Sequence, residues 1–402
     1  MRKINHFLSR RSINIRRFLI LLFFLISMSV NSGLAFCDEI HVMAAVGDMA
    51  KIHALLKEHP DLISSKDDYG RTPLHWAVQH GHKDVAELLL NHRADVNARD
   101  NSGATPLHCV VNITSRKDMK NMTELLLTHW ADVNARNNQG LTPLHLAVQY
   151  GHKDVADLLL QHWADINAKT DQGLTPLHMA TKYGYKDFVE LLLTSKVDVN
   201  VNTGDNSGAA PLHMAAEYGY YDIAKLLLKH GASVDARTDT GMTPLHFAVY
   251  KNHKDVTKLL LSRKADINAK DNDKFTPLHY AMEYGHEDAK DVVKMLLSYK
   301  ADVNVKAKGG ITPLHIAAQY GLYDAAALML SYGAYVNAQN DVGRTPLHYA
   351  VDNGHKDFVK LLFSRNAIVN AKDNNGTTPL HLAQYGHEDM VDLLRNHGAY
   401  ER

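Results

Sequence analysis

The tetrapeptide Thr-Pro-Leu-His begins at Thr72, Thr105, Thr142, Thr175, Thr243, Thr276, Thr312, Thr345 and Thr378, and Ala210 opens a tenth copy as Ala-Pro-Leu-His. Six of the nine spacings between copies are 33 residues, and the others are 37, 35 and 36. A fixed period of this length means that one supersecondary unit is stacked many times. Such a chain has no single core in which to enclose a cleft. What it offers instead is a long surface.

The unit that starts at Asn137 shows why each copy folds as it does. Thr142 is placed to cap a helix with its hydroxyl, and Pro143 takes the first helical position, where a missing N–H costs nothing. Leu144, Leu146 and Ala147 supply a narrow apolar face, and Gly151 ends the helix in a left-handed turn. Asp154 opens a second helix, with Val155, Leu158 and Leu159 inward at helical spacing. Residues 165–173 are short, extended and turn-rich, which reads as a hairpin. Two such helices cannot bury their leucines alone, so neighbouring units must cover them. Both ends carry a charge where internal units have a third apolar residue. The first unit reads Leu55-Leu56-Lys57 and the last Leu393-Leu394-Arg395, as terminal units facing water should.

These residues carry a family resemblance. From G-x-TPLH-x-A-x-x-x-GH-x-D through LLL to A-D-V-N-A, the unit resembles the ankyrin repeat. The resemblance runs from residue 40 to 402 and implies an α-solenoid, a stack of helix-turn-helix units joined by β-hairpin loops. It implies an N-terminal capping repeat over 38–69. Repeats follow over 70–102, 103–139, 140–172, 173–207, 208–240, 241–273, 274–309, 310–342 and 343–375, then a C-terminal capping repeat over 376–402. In that family the residue before the first-helix glycine lines the concave groove. Here that column reads His80, Tyr150, Tyr183, Tyr218, Tyr284, Tyr320 and Tyr385, broken by Lys251 and Asn353. Tyrosine gives large contact area at low entropic cost, so the column is a candidate protein-binding face. The competing reading is that each ring only covers its neighbour's helix.

Trp130 and Trp163 stand at the end of the second helix, where the family prefers glycine and where Gly231, Gly333 and Gly398 stand in other units. They are expected to give up the easy left-handed turn and to stack on each other as an exposed aromatic patch. Neutral replacement in a tolerant turn is the alternative. The hairpin tips add Tyr69, Arg71, Leu141, Leu174, Met242, Phe275, Ile311 and Arg344, an apolar row with few charges of the kind that marks a partner surface.

Chemistry is sparse. Of 26 histidines, ten belong to the tetrapeptide and six more follow the first-helix glycine position (His82, His152, His253, His286, His355 and His387). Family resemblance makes these sixteen structural. No phosphate-cradling glycine loop, Cys-x-x-Cys pair or His-Glu-x-x-His is present, so no enzyme, cofactor or metal is expected. The chain has 44 basic and 44 acidic residues, but six of the basic ones precede residue 36, where there is no acid. The repeats therefore hold 38 against 44, a net charge of −6 that does not suit a phosphate backbone.

Residues 1–17 are basic, residues 18–30 are apolar or weakly polar, and Gly33 and Ala35 follow as a small-x-small pair. That is the order of a secretory signal. The apolar run of 13 residues falls short of the roughly 20 a spanning helix needs. Cleavage after Ala35 is expected, with an uncleaved single-pass anchor as the alternative. The sequence thus points to an exported, non-enzymatic, monomeric scaffold that binds a protein partner, in a periplasm, a secretory lumen or outside the cell. A membrane-tethered scaffold and a ligand-sensing accessory protein are the other readings.

Overall fold

The computed structural model describes residues 32–195, 200–283, 289–384 and 388–400. The apolar run at 18–30, together with Tyr284, Tyr385, His286 and His387, lies outside the described residues. Among the described residues no helix is long and apolar enough to cross a membrane. The chain divides into two compact units after residue 179, each an all-helical stack of short antiparallel pairs.

A typical pair joins Pro143–Gln149 to Lys153–Gln161. Helices of 7 and 9 residues do not persist alone in water. Burial holds them: Leu144, Ala147, Val148, Ala156, Leu159 and Ile166 lose all contact with solvent. Leu146, read from sequence as core, is only half-buried, and Val148 takes the inner place. Gly151 adopts φ 74°, the left-handed turn that reverses the chain between the helices.

Each tetrapeptide closes two junctions at once. The backbone N–H of Thr72 donates to Nδ1 of His75 at 3.1 Å, and the Thr72 hydroxyl lies 2.9 Å from the same nitrogen. An Nδ1 that accepts leaves the proton on Nε2, and His75 Nε2 donates to the carbonyl of Ala104 in the next repeat at 3.1 Å. The same pair of bonds recurs at His108 and His145, then at His246, His279, His315 and His348 in the second unit. Ala210 keeps the backbone half, donating to His213 Nδ1 at 3.0 Å, and has no hydroxyl to add. A second histidine column reaches backwards. His82 donates to the carbonyl of Ala45, His152 to Val111, His253 to Glu217 and His355 to Gln319, at 2.9–3.2 Å. The structural reading of these histidines holds for those of the internal repeats that are described, whereas His381 of the last repeat is exposed.

The connecting loops depart from expectation. No strand forms among the described residues. The loop tips instead carry single bonds from repeat to repeat, such as Asn101 N–H to Tyr69 O at 2.9 Å and Asn138 N–H to Ser102 O at 2.8 Å. A column of asparagines adds a two-pronged link. Asn97 Nδ2 donates to the Trp130 carbonyl at 3.3 Å while its Oδ1 accepts from Asp132 N–H at 2.7 Å. The apolar tip row is half-buried at Leu141, Leu174, Met242, Phe275 and Ile311, because each of those backbones is tied to the histidine of the preceding repeat. The repeat over 103–139 is four residues longer than the usual 33, with the addition falling within 112–119. The added residues shorten the first helix to Pro106–Cys109 and lengthen the second to Arg116–Thr128, capped by Ser115.

Burial holds the imidazoles of His75, His108, His213 and His348 below the usual histidine range, and those of His145, His246, His279 and His315 down to about 4. Unfolded histidines titrate near 6.5. Between those values the unfolded chain binds more protons than the folded one, so stability falls as pH falls. Each of the four deepest imidazoles contributes on the order of 3 kcal/mol above pH 6.5 that is gone below about 4. Urea melts followed by circular dichroism should therefore lose midpoint steadily from pH 7.5 to pH 5, above the carboxylate range. A flat midpoint over that interval would contradict neutral, bridging histidines.

Candidate functional site

The tyrosine column forms at the last turn of the first helices. In the first unit Tyr150 is the helix-ending residue before Gly151; its exposed ring lies over His152, with centroids 6.4 Å apart and planes 17° from parallel. His80 occupies the same place two repeats earlier and stacks on Trp76 at 5.6 Å and 6°. In the second unit Tyr183 stacks on Tyr185 at 5.7 Å, and Tyr218 on Tyr220 at 5.8 Å. The two pairs meet at Gly184. A Cβ there would come within 2.9 Å of Tyr220 Cζ, so the Tyr220 ring rests directly on the glycine backbone. Tyr183, Tyr185, Tyr218 and Tyr220 thus make one aromatic patch. Tyr320 ends its own helix with an exposed ring. Tyr150, Tyr183 and Tyr218 each have a stacked ring neighbour and still remain exposed.

Electrostatics around the column favour neutral groups. Partial burial, then the Glu217 carboxylate, push the Tyr218 hydroxyl up. Partial burial, then His82 and Arg71, hold His80 below the usual histidine range. Among the described residues no three metal-ligating side chains converge.

A second column escaped the sequence reading. The residue after the tetrapeptide histidine is half-buried in seven repeats and buried at Cys109, Met179 and Ile316, and four of the half-buried ones are large aromatics: Trp76, Phe247, Tyr280 and Tyr349. Three of them anchor a polar atom at the loop tip nine residues earlier. Trp76 Nε1 donates to Asp67 Oδ2 at 3.0 Å, Tyr280 Oη to Asp271 Oδ2 at 2.7 Å, and Asn340 Nδ2 to Tyr349 Oη at 3.0 Å. Trp76 is also sandwiched: the Arg71 guanidinium sits 3.9 Å from its ring centroid on one side and His80 stacks on it. Arg71 is itself paired with Asp67 at 2.9 Å. The signal was present as an aromatic directly after Pro-Leu-His.

Trp130 and Trp163 behave differently from expectation. They keep the left-handed turn, at φ 66° and 68°, with indoles 87 % and 81 % exposed. No ring contact joins them among the described residues, because each backbone is tied separately, Trp130 O to Asn97 and Trp163 O to Asn134. Six non-glycine residues hold positive φ at this helix end, the others being Arg93, Lys264, Lys300 and Asn366. The asparagine link holds this turn at Trp130, Trp163 and Asn366, and Lys264 keeps it where the preceding repeat offers Asp235 instead.

The sequence profile described as Ankyrin repeats (3 copies) matches residues 40–115, 111–205, 163–238, 198–271, 235–307, 269–340 and 314–401. The chain belongs to the ankyrin repeat family. Similar proteins include Ankyrin repeat domain-containing protein 13C-B of Xenopus laevis, 44 % identical over 55 residues, 14 % of this chain and 10 % of that protein. Acyl-CoA-binding domain-containing protein 1 of Arabidopsis thaliana is 39 % identical over 57 residues, 14 % of this chain and 17 % of that protein. The 2-5A-dependent ribonuclease of Mus musculus is 41 % identical over 59 residues, 14 % and 8 % of the two chains. The chain thus matches less than a fifth of the length of each of these relatives.

Ankyrin repeats are generally scaffolds for protein–protein interaction. Within this ankyrin stack Trp130 and Trp163 carry the cost of a non-glycine residue in the left-handed region. A non-glycine residue in the left-handed region gives up roughly 1 kcal/mol relative to glycine, and the extra freedom of an unfolded glycine returns about half of that. Trp130→Gly and Trp163→Gly should each stabilise the fold by about 0.5 kcal/mol. Thermal unfolding of the two variants beside the parent measures it, and a clear loss of stability in either would mean that the indole packs against something.

Proposed function

We propose that this ankyrin protein is a non-enzymatic scaffold that holds a protein partner along the concave face, with contacts centred on Tyr150, Tyr183, Tyr218 and Tyr320. The observation that supports this is the one-sided stacking of the column. A neighbouring ring pre-orients Tyr150, Tyr183 and Tyr218, and the exposed remainder of each can meet a partner at little remaining entropic cost. Trp130 and Trp163 extend the candidate surface, since an exposed indole held in a disfavoured turn is a local expense without a local return. Tyr284 and Tyr385 complete the column by sequence.

The proposal includes export. Residues 1–35 carry the order of a secretory signal. The first helix, Ser32–Val46, contains Ala35, and Ile40 and Ala44 are among its fully buried residues. Cleavage after Ala35 would remove about one turn and leave Ile40 and Ala44 in place. An uncleaved anchor would make the same scaffold membrane-tethered.

Two measurements test this reading. Full-length protein and its Tyr150→Ala/Tyr183→Ala/Tyr218→Ala version should both fold, and only the first should retain a partner in affinity capture, with binding weaker by tenfold or more in the variant. Equal retention by both would remove the column from the interface. N-terminal sequencing of the native protein should begin at Phe36, and a chain still starting at Met1 would refute cleavage.

A further inference from the structure

The loop residue after the alanine that follows each second helix is an exposed polar residue in most repeats: Asp95, Asp132, Asp165, Ser233, Asp266 and Asp302. The five aspartates accept the backbone N–H two residues on, at 2.9–3.0 Å. In the last three repeats the position changes character to Tyr335, Ile368 and Tyr400. Their backbones are held as before, each N–H donating to the asparagine of the preceding repeat, at 2.8, 2.8 and 3.2 Å. An unchanged backbone link keeps the three side chains in one register and on one side of the stack. Their exposures are 68 %, 55 % and 52 %, and Tyr332 beside Tyr335 is 50 % exposed. These repeats have exchanged a carboxylate that satisfies a local N–H for apolar surface in water, which is unfavourable for an isolated chain.

We infer that this Tyr335–Ile368–Tyr400 stripe is the centre of a two-fold interface with a second copy of the chain. Three features point to that occupant. The stripe reads the same in both directions, with neighbours 33 and 32 residues apart. A two-fold axis at Ile368 sets Ile368 against its own copy and Tyr335 against the second copy's Tyr400, the self-complementarity that an isologous dimer needs. The area also fits. Taking a full aromatic side chain as roughly 200 Å², the stripe and Tyr332 present on the order of 400 Å², about half of the roughly 800 Å² per partner that a stable interface buries. Finally, the neighbouring helix-end row reads Tyr332, Arg365, His397. The same axis faces Tyr332 with His397 and brings Arg365 towards its own copy. The Arg365 pairing is repulsive, so salt strengthens the dimer, whereas an acidic partner on Arg365 would be released by salt. This assembly replaces the monomer expected from sequence.

The test uses the full-length protein with Cys37→Ser, leaving buried Cys109 in place. Under mild oxidation Ile368→Cys should give a disulfide-linked dimer on a non-reducing gel. Tyr335→Cys alone should not, and the Tyr335→Cys/Tyr400→Cys double variant should. Cross-linking by Tyr335→Cys alone would overturn the two-fold arrangement. In sedimentation equilibrium the parent should be dimeric at ten micromolar and Ile368→Asp monomeric, with circular dichroism unchanged because the residue is exposed. A monomeric parent, or a dimer that persists in Ile368→Asp, would overturn the proposal.

Discussion

A neutral imidazole, accepting at one nitrogen and donating at the other, holds this molecule in register. His145 shows the whole arrangement. Its Nδ1 receives the N–H of Thr142, which begins the helix, and its Nε2 gives a proton to Leu174, which begins the tip of the next repeat. One side chain thereby satisfies a helix start and sets the spacing to a neighbour. The leucines beneath it supply most of the stabilising free energy, but burial of apolar surface is non-directional. It would tolerate a slipped stack, and the imidazole bridge does not. Aligned repeats within each unit in turn bring equivalent residues into columns.

The surface can vary because so little of it is needed for folding. The helix-end turn is held by an asparagine from the preceding repeat at tryptophan, asparagine and glycine alike, and the same turn forms at Arg93 and Lys264. The loop position after it accepts aspartate, serine, tyrosine or isoleucine for the same reason. Side chains at these places are released from structural duty and available for contact with other molecules.

Much of this was legible in the amino-acid order. Threonine before proline, glycine after the first helix and leucine triplets in the second each have a local physical cause, and each took its expected place. Leu146 did not. The narrow apolar face of this seven-residue helix takes Leu144, Ala147 and Val148 and leaves Leu146 half-buried. The loops read as strands because they are extended, yet they bond only through isolated tip contacts and form no ladder. The added residues at 112–119 joined a helix because Ser115 offered a cap and Met119 and Met122 offered buried anchors. The tryptophans were expected to stack because they occupy adjacent repeats, but their separate backbone ties keep the indoles apart. The aromatic column after the histidine went unread because a residue in a helix interior resembles core until its polar tether to the tip is seen.

The asparagine link has a direction. Asn97 and Asn134 each offer both atoms of their amide to the loop that follows, never to the one before. A ribosome releases the amino-terminal repeats first. Each finished loop therefore leaves the exit tunnel carrying a donor and an acceptor set at the separation its successor requires. The nascent chain has only to fold one repeat at a time against a template already built, and the order of synthesis is also the order in which each register is set.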